Sequence, residues 1–176
     1  SEETSWIGGK MKIHQVCPWS LPLHIGGEET YVWNISRKLA KRNEIEIYST
    51  DPFAREIHIV EVDGITVKYF PSIAPFGIYF FSTSLYNALK NVRDCVIHAH
   101  GYQAFPLLAA TLAKTHNKAP LVVSPHMGSS KVPRVLYRPL YDRICGFHIF
   151  NAADRVVIVS ETEKDEIRQI KAFENK

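Results

Sequence analysis

Short apolar runs alternate with helix-length amphipathic stretches along most of the chain, and that alternation leaves few folds open. The runs "KIHQVC" (12–17), "EIEIYST" (44–50), "CVIHAH" (95–100), "PLVVSPH" (120–126) and "RVVIVS" (155–160) read as strands. After the first, Val32, Ile35, Leu39 and Ala40 mark one face of a helix that ends near Asn43. Further helix patterns cover 84–92, 102–116, 134–151 and 161–172. "EIHIVEVDGITVKYF" differs, with two β-rich runs around Asp63-Gly64, a hairpin signal. Strands joined by helices re-enter a sheet at the same end and pair in parallel, and parallel sheets need cover on both faces. The expected class is α/β: a Rossmann-like, mostly parallel sheet with helices on both faces.

A chain of 176 residues, 45% of them hydrophobic, has enough apolar material for one sizeable core. Its net charge of +3 carries no long basic block, so nucleic acid is not an expected partner. Cys17, Cys95 and Cys145 are widely spaced and odd in number. They match neither a zinc site nor a disulfide framework, and reduced thiols in a cytoplasmic setting are expected. No apolar run approaches the roughly 18 residues of a membrane span. Residues 1–10, "SEETSWIGGK", lack the regions of a signal peptide and read as a native arm or a non-native remnant. The domain is expected from 11 to 176.

In parallel α/β sheets ligands bind beyond the carboxyl ends of the strands, where the strand order reverses. Four polar sites follow strands here: Gly26-Gly27, His98 to Gly101, His126 to Gly128, and Ser160-Glu161. In "LPLHIGGEETYVWNIS" the paired glycines stand between the first strand and the first helix. A helix start offers unpaired N–H groups and a partial positive charge, which suits a phosphate if no side chain intervenes. A tight turn explains the glycines equally well. The stretch is neither GxGxxG nor a P-loop. Glu28 and Glu29 suit the helix start, but they repel a phosphate unless they point away.

His98 and His100 lie two apart in a strand and lean to one side. They suggest either a metal pair, for which no third ligand has suitable spacing, or hydrogen-bonded histidines framing a cleft. His126 ends another strand and is a candidate for hydrogen bonding or proton exchange with a hydroxyl, with a structural role as the alternative. No arrangement supports hydrolase chemistry. In "KVPRVLYRPLYDRICGF", Lys131, Arg134, Arg138 and Arg143 accompany Leu136, Leu140, Ile144 and Phe147 at helical spacing. Such a face packs on a core or lies on anionic lipid. Tyr79, Phe80, Phe81 and Tyr102 can stack on a sugar or lipid, or fill the core.

The order of a strand, Pro-rich loop, Gly-Gly-x-Glu and helix, then "VIHAHG", "PLVVSPHMG" and "NAADRVVIVSETEKDEI", resembles the N-terminal domain of GT-B glycosyltransferases of family 4, the glycogen-synthase and mannosyltransferase-like group. The resemblance runs from about Met11 to Ile170. It implies two Rossmann-like domains across a cleft: an N-terminal acceptor-side domain and a C-terminal domain holding a nucleotide-diphospho-sugar. It further implies retention of anomeric configuration, with no metal and no cofactor beyond the nucleotide sugar as donor substrate. By the same resemblance Gly26 and Gly27 approach the donor diphosphate, Glu29 sits at the helix start, and His100 and Gly101 line the cleft. His126 lies beside the transferring sugar as the catalytic candidate. Asp154 and Ser160 fall at the family's Ala-Asp and terminal Ser positions, Ser160 near the domain junction.

A C-terminal donor domain has no room before Lys176, so the chain is expected to be an acceptor-side half, inactive alone, completed by that domain in cis. The acceptor, a sugar or lipid, is expected to be chosen by 71–81 and 128–134. Peripheral contact with the inner face of the membrane is one expectation from the basic segment. The competing readings are a sugar-nucleotide 2-epimerase-like half-domain, which needs acidic residues in the cleft, and a non-catalytic module that binds a ligand or partner.

Overall fold

The computed structural model describes residues 9–74, 79–127 and 138–170. Seven strands form one sheet: β1 (Lys12–Val16), β2 (Glu44–Asp51), β3 (His58–Val62), β4 (Ile65–Pro71), β5 (Cys95–His100), β6 (Leu121–Ser124) and β7 (Arg155–Val156). Their order is β3-β4-β2-β1-β5-β6-β7. Every pairing is parallel except β3 with β4. The expected mostly parallel α/β sheet is therefore observed. With the hairpin strand β3 set aside, the order is that of a doubly wound fold, and it reverses between β1 and β5.

The helix α1 (Gly27–Leu39) lies on one face of the sheet. On the other face lie α2 (Thr83–Asn91), α3 (Phe105–Asn117) and α5 (Phe147–Ala152). Two apolar clusters result. Val32 of α1 packs with Ile13, Cys17, Ile45, Ile47, Ile65, Val67 and Tyr69. On the opposite face Leu85 and Leu89 of α2, Leu107 and Ala110 of α3, and Ile149 and Phe150 of α5 close over Val16, Ile97, Ala99, Leu121 and Val123. Alternation along each strand divides its side chains between these clusters.

Local chemistry accounts for most boundaries. Asp63 (φ 50°) and Gly64 (φ 74°) make the left-handed turn that the hairpin needs. Ser82 caps α2 by accepting from the Leu85 N–H at 3.3 Å. The third helix starts at Phe105 rather than at the expected 102. Gly101 (φ 79°) first turns the chain out of β5, and the Tyr102 N–H is held by the Pro125 carbonyl at 2.8 Å. The expected strand at 155–160 is only two residues long. Its partner β6 ends at Ser124, so only the Val157 N–H, bonded to the Val123 carbonyl at 2.8 Å, extends the ladder. The expected helix at 134–151 is described from 138 as α4 (Arg138–Tyr141), a π-helical turn (Asp142–Gly146) and α5. Residues 134–137 lie outside the described residues, as do 171 and 172 of the last helix, α6 (Glu161–Arg168).

All three cysteines are free thiols, Cys17 and Cys95 buried and Cys145 partly so. No helix among the described residues is long and apolar enough to cross a membrane.

Candidate functional site

The carboxyl ends of β1, β5 and β6 converge where the strand order reverses, and the residues singled out in the sequence gather there. The loop after β1 is pinned before it reaches the glycines. Tyr69 of β4 donates its hydroxyl to the Leu21 carbonyl at 2.7 Å, and Ser20 donates to the Tyr69 hydroxyl at 3.1 Å. Trp19 stacks on His24 with centroids 4.7 Å apart and meets Phe80 edge-on. His24 in turn pairs with buried Glu29 at 2.9 Å.

The two glycines have different reasons to be glycine. Gly26 is the N-cap of α1 in extended backbone. A Cβ there would stand 2.3 Å from Glu29 Oε2, so its bareness makes room for the folded-back carboxylate. At Gly27, the first residue of α1, a Cβ would meet nothing within 4 Å. Open space therefore lies beside Gly27, and tight packing beside Gly26. Glu28 turns away from that opening. Its Oε1 is buried without a hydrogen-bond partner, against the point where a Gly101 Cβ would be, at 2.9 Å. Pro18 approaches the same point at 3.2 Å, so a side chain at 101 is excluded by space as well as by backbone. Burial, with a contribution from Glu29, pushes the Glu28 carboxyl up to about 8.

Beneath α1 the sheet carries a polar strip. Gln15, His98, His100 and Ser124 are all buried. His98 Nε2 lies 2.8 Å from Ser124 Oγ, and His100 Nε2 lies 2.8 Å from Gln15 Oε1. His100 Nδ1 reaches His126 Nε2 at 3.0 Å, with the two rings stacked 5.3 Å apart. Tyr31, one turn into α1, sets its ring edge-on against both His126 (5.0 Å) and His100 (6.0 Å). His126 is half-buried, in left-handed backbone at φ 52°, a conformation a non-glycine residue holds only when its surroundings impose it. Part of that imposition comes from Glu163. Its Oε1 accepts the Met127 N–H at 2.9 Å and its Oε2 the Val159 N–H at 2.8 Å, which ties the His126 loop to α6.

Burial lowers all three histidines. His98 falls to about 4, His100 falls well below its ordinary value, and His126 is lowered too, burial outweighing the opposing Glu163 carboxylate. At neutral pH the cluster is uncharged, and each ring is one donor and one acceptor. No set of three or more metal-ligating side chains occurs among the described residues. The arrangement suits hydrogen bonding to a hydroxyl-rich, partly anionic ligand at one sheet edge.

The structure thus brings Gly26, Gly27, Gly101, His100 and His126 together. His100, expected at the cleft surface, is fully buried behind His126, so it acts on a ligand only through that ring. Asp154 lies at the opposite edge of the sheet. It accepts from Lys114 Nζ and from the Leu121 N–H (2.7 Å), a structural tie at the start of β6. Ser160 caps α6, accepting the Glu163 N–H at 3.1 Å. Of the aromatics, Phe80 and Tyr102 are core, Tyr79 is half-buried, and Phe81 stands exposed against Phe105. Sequence reasoning passed over Gln15, Tyr31 and Glu163. A polar residue on the inward side of a strand, and the Ser160-x-x-Glu163 capping pattern, were the available signals.

The family model described as Glycosyltransferase Family 4 matches residues 25–175. No curated protein matches the chain.

Proposed function

Because the chain belongs to glycosyltransferase family 4, we propose that it supplies the acceptor-side wall of a cleft in which a sugar passes from a nucleotide-diphospho-sugar to a sugar or lipid acceptor. A second, donor-binding domain completes the cleft, anomeric configuration is retained and no metal takes part. Gly27 offers bare backbone and the α1 N-terminus to the diphosphate, and His126 meets a hydroxyl of the transferring sugar. The observation that carries this reading is the juxtaposition of the open Gly27 backbone with a neutral, half-buried imidazole at one sheet edge, linked through Tyr31. The chain alone is expected to be inactive, since positioning and water exclusion need both walls.

The test is turnover of the chain joined to its donor-binding domain, measured as nucleotide release across a panel of nucleotide sugars. His126→Asn keeps a residue that tolerates left-handed backbone. It is expected to lower kcat at least tenfold, a loss of roughly 1.4 kcal/mol of transition-state stabilisation, far more than the loss of its contacts with His100 and Tyr31 changes binding of the donor as read by KM. Equal turnover would remove His126 from the chemistry. Glu28 gives the epimerase-like reading one buried acid near the cleft. A free epimerised sugar, rather than a new glycosidic bond, would favour that reading.

The acceptor side adds a surface. Leu140, Ile144 and Phe147, at i, i+4 and i+7, are 62, 52 and 51% exposed. Over 131–151 the sequence holds Lys131, Arg134, Arg138 and Arg143 against one acid, Asp142, which accepts from the Tyr102 hydroxyl at 2.9 Å. An apolar stripe within a basic stretch of sequence fits an anionic bilayer. Co-sedimentation with phosphatidylglycerol vesicles, but not with phosphatidylcholine vesicles, is expected, and Ile144→Asp should abolish it. Equal sedimentation of the variant would refute the contact.

A further inference from the structure

We infer that the acceptor is a lipid, a hydroxyl-bearing head on a long hydrocarbon chain, and that the chain lies across the loops after β1 and β4 while the head reaches the candidate site. The acceptor role rests on the proposed transferase function; the apolar binding surface does not. Residues 18–27, 71–82 and 101–105 contain no lysine, arginine, aspartate or glutamate. A surface loop ordinarily turns its polar groups to water, and here the arrangement is inverted. Ser20 donates to the Tyr69 hydroxyl, which donates to the Leu21 carbonyl, and Ser82 donates to the Pro71 carbonyl at 2.7 Å. His24 is paired with Glu29. The large apolar side chains face solvent instead: Ile25 is 77% exposed and Ile73 68%, with Leu23 and Phe81 exposed beside them. None of the four belongs to either core cluster.

The loops form one surface. Ile73 and Phe81 exchange backbone hydrogen bonds, each at 2.8 Å, which closes the loop after β4. Trp19 meets Phe80 edge-on at 4.8 Å and stacks on His24, so the loop after β1 lies along it. Ile25 is two residues from Gly27, and there the strip ends beside the open space of the candidate site. At the other end Phe81 packs on Phe105 with centroids 4.6 Å apart. Tyr102, in the same turn, accepts the Tyr141 hydroxyl at its carbonyl at 2.6 Å. The turn thereby joins the strip to the segment bearing exposed Leu140, Ile144 and Phe147, the surface proposed to meet the bilayer. Apolar surface of this extent marks a site that something covers. A protein wall brings roughly one hydrogen bond per 100–200 Å² and needs partners for them. The polar side chains named above are already bonded within the loops, and a hydrocarbon chain asks for no partner. In the transfer, the head's hydroxyl oxygen bonds to the anomeric carbon. The bond from that carbon to the diphosphate breaks with its electron pair on the diphosphate, and the hydroxyl proton leaves with it.

The strip is tested first by amide shifts of the labelled 176-residue chain, with decyl maltoside below its micelle concentration and with maltose as the chain-free control. Shifts are expected at Leu23, Ile25, Ile73 and Phe81 with decyl maltoside and not with maltose. Ile59, exposed on β3, reports indiscriminate contact with detergent and should not move. The double variant Ile25→Asp/Ile73→Asp is expected to weaken decyl maltoside binding about tenfold while its β5 amide shifts stay in place. Equal movement at Ile59, equal shifts with maltose, or unchanged binding by the double variant would overturn the inference. So would loss of the shifts once the donor-binding domain is attached, which would make that domain the occupant. Should the double variant fail to fold, the Ile59 comparison in the unmodified chain decides. With the two-domain enzyme, decyl glucoside is expected to exceed glucose as acceptor by about tenfold in kcat/KM. Shifts along the strip with no transfer to either acceptor would keep the apolar site and remove the transferase function. Transfer with no preference for the alkyl acceptor would keep the transferase and overturn the lipid.

Discussion

Glu163 is the residue whose removal should tell most about how the His126 loop is held. It is 1% exposed, and both carboxylate oxygens accept backbone N–H groups, from Met127 at 2.9 Å and Val159 at 2.8 Å. Neither of those N–H groups belongs to a regular helix or strand, so the side chain provides what a ladder otherwise would. A hydrogen bond to a charged group contributes about 1.5–3 kcal/mol, and an acid in the first turn of α6 adds roughly 0.3–1 kcal/mol through the helix dipole. Glu163→Gln keeps one accepting oxygen but turns an NH2 group onto the other N–H, so donor opposes donor. The expected loss is about 2–3 kcal/mol, and Glu163→Ala, which strands both N–H groups, should lose roughly 3–5 kcal/mol. For a chain of this length, the Gln variant should melt roughly 4–12 °C lower.

The assay is urea unfolding, with amide exchange as the local readout. Exchange at Met127 and Val159 should accelerate in Glu163→Gln well beyond that of β5 amides, which open only with the whole molecule. Loss of the carboxylate should also push the His126 pKa further down, because Glu163 is what opposes its burial. Stability of Glu163→Gln within about 0.5 kcal/mol of the parent, with exchange at Met127 unchanged, would refute this account of the loop.

The two glycines should part company. Gly26→Ala drives a Cβ into the Glu29 carboxylate and should cost about 1–2 kcal/mol. Gly27→Ala should leave stability within roughly 1 kcal/mol or raise it, while increasing the donor KM of the proposed two-domain enzyme several-fold; equal effects of the two substitutions on unfolding would contradict the packing described. The pH dependence should carry two opposite slopes. Below pH 6.5 the unfolded chain takes up a proton that buried His98 refuses until about 4, so stability should fall with acid, as read by urea midpoints. Between pH 4.5 and about 8 native Glu28 keeps a proton that the unfolded chain releases, so its contribution falls as pH rises. Glu28→Gln should therefore gain on the parent by at least about 1 kcal/mol from pH 5 to pH 8, and parallel curves would refute it.

The sheet was legible in the sequence because period and punctuation agreed. Asp63-Gly64 specified its turn by backbone chemistry, and the helix between the first two strands showed its buried face through Val32. Boundaries that depend on a neighbour were not legible. "RVVIVS" has strand composition throughout, yet its pairing ends at Val123 with Val156, next to the end of four-residue β6, a fact stored in another segment. Tyr102 looked helical until Gly101 and the Pro125 carbonyl claimed its backbone. At the site, residues that end strands were visible because chain order alone puts them at one edge. Gln15 and Glu163 were not, since a lone amide inside a strand and a glutamate in a first helical turn have common structural uses. Only distances across 85 and 36 positions of chain give them a further one.

The margins of the sheet are unequal. On one side β7 is two residues long, too short a template for another chain to extend. On the other, β3 runs for five residues beyond which no strand is paired among the described residues, with Ile59 61% exposed on it and Ile57 just before it 48% exposed. Among the described residues β3 is therefore the margin open to self-association by added strands, and a lysine or proline on it would protect a concentrated sample without touching the candidate site.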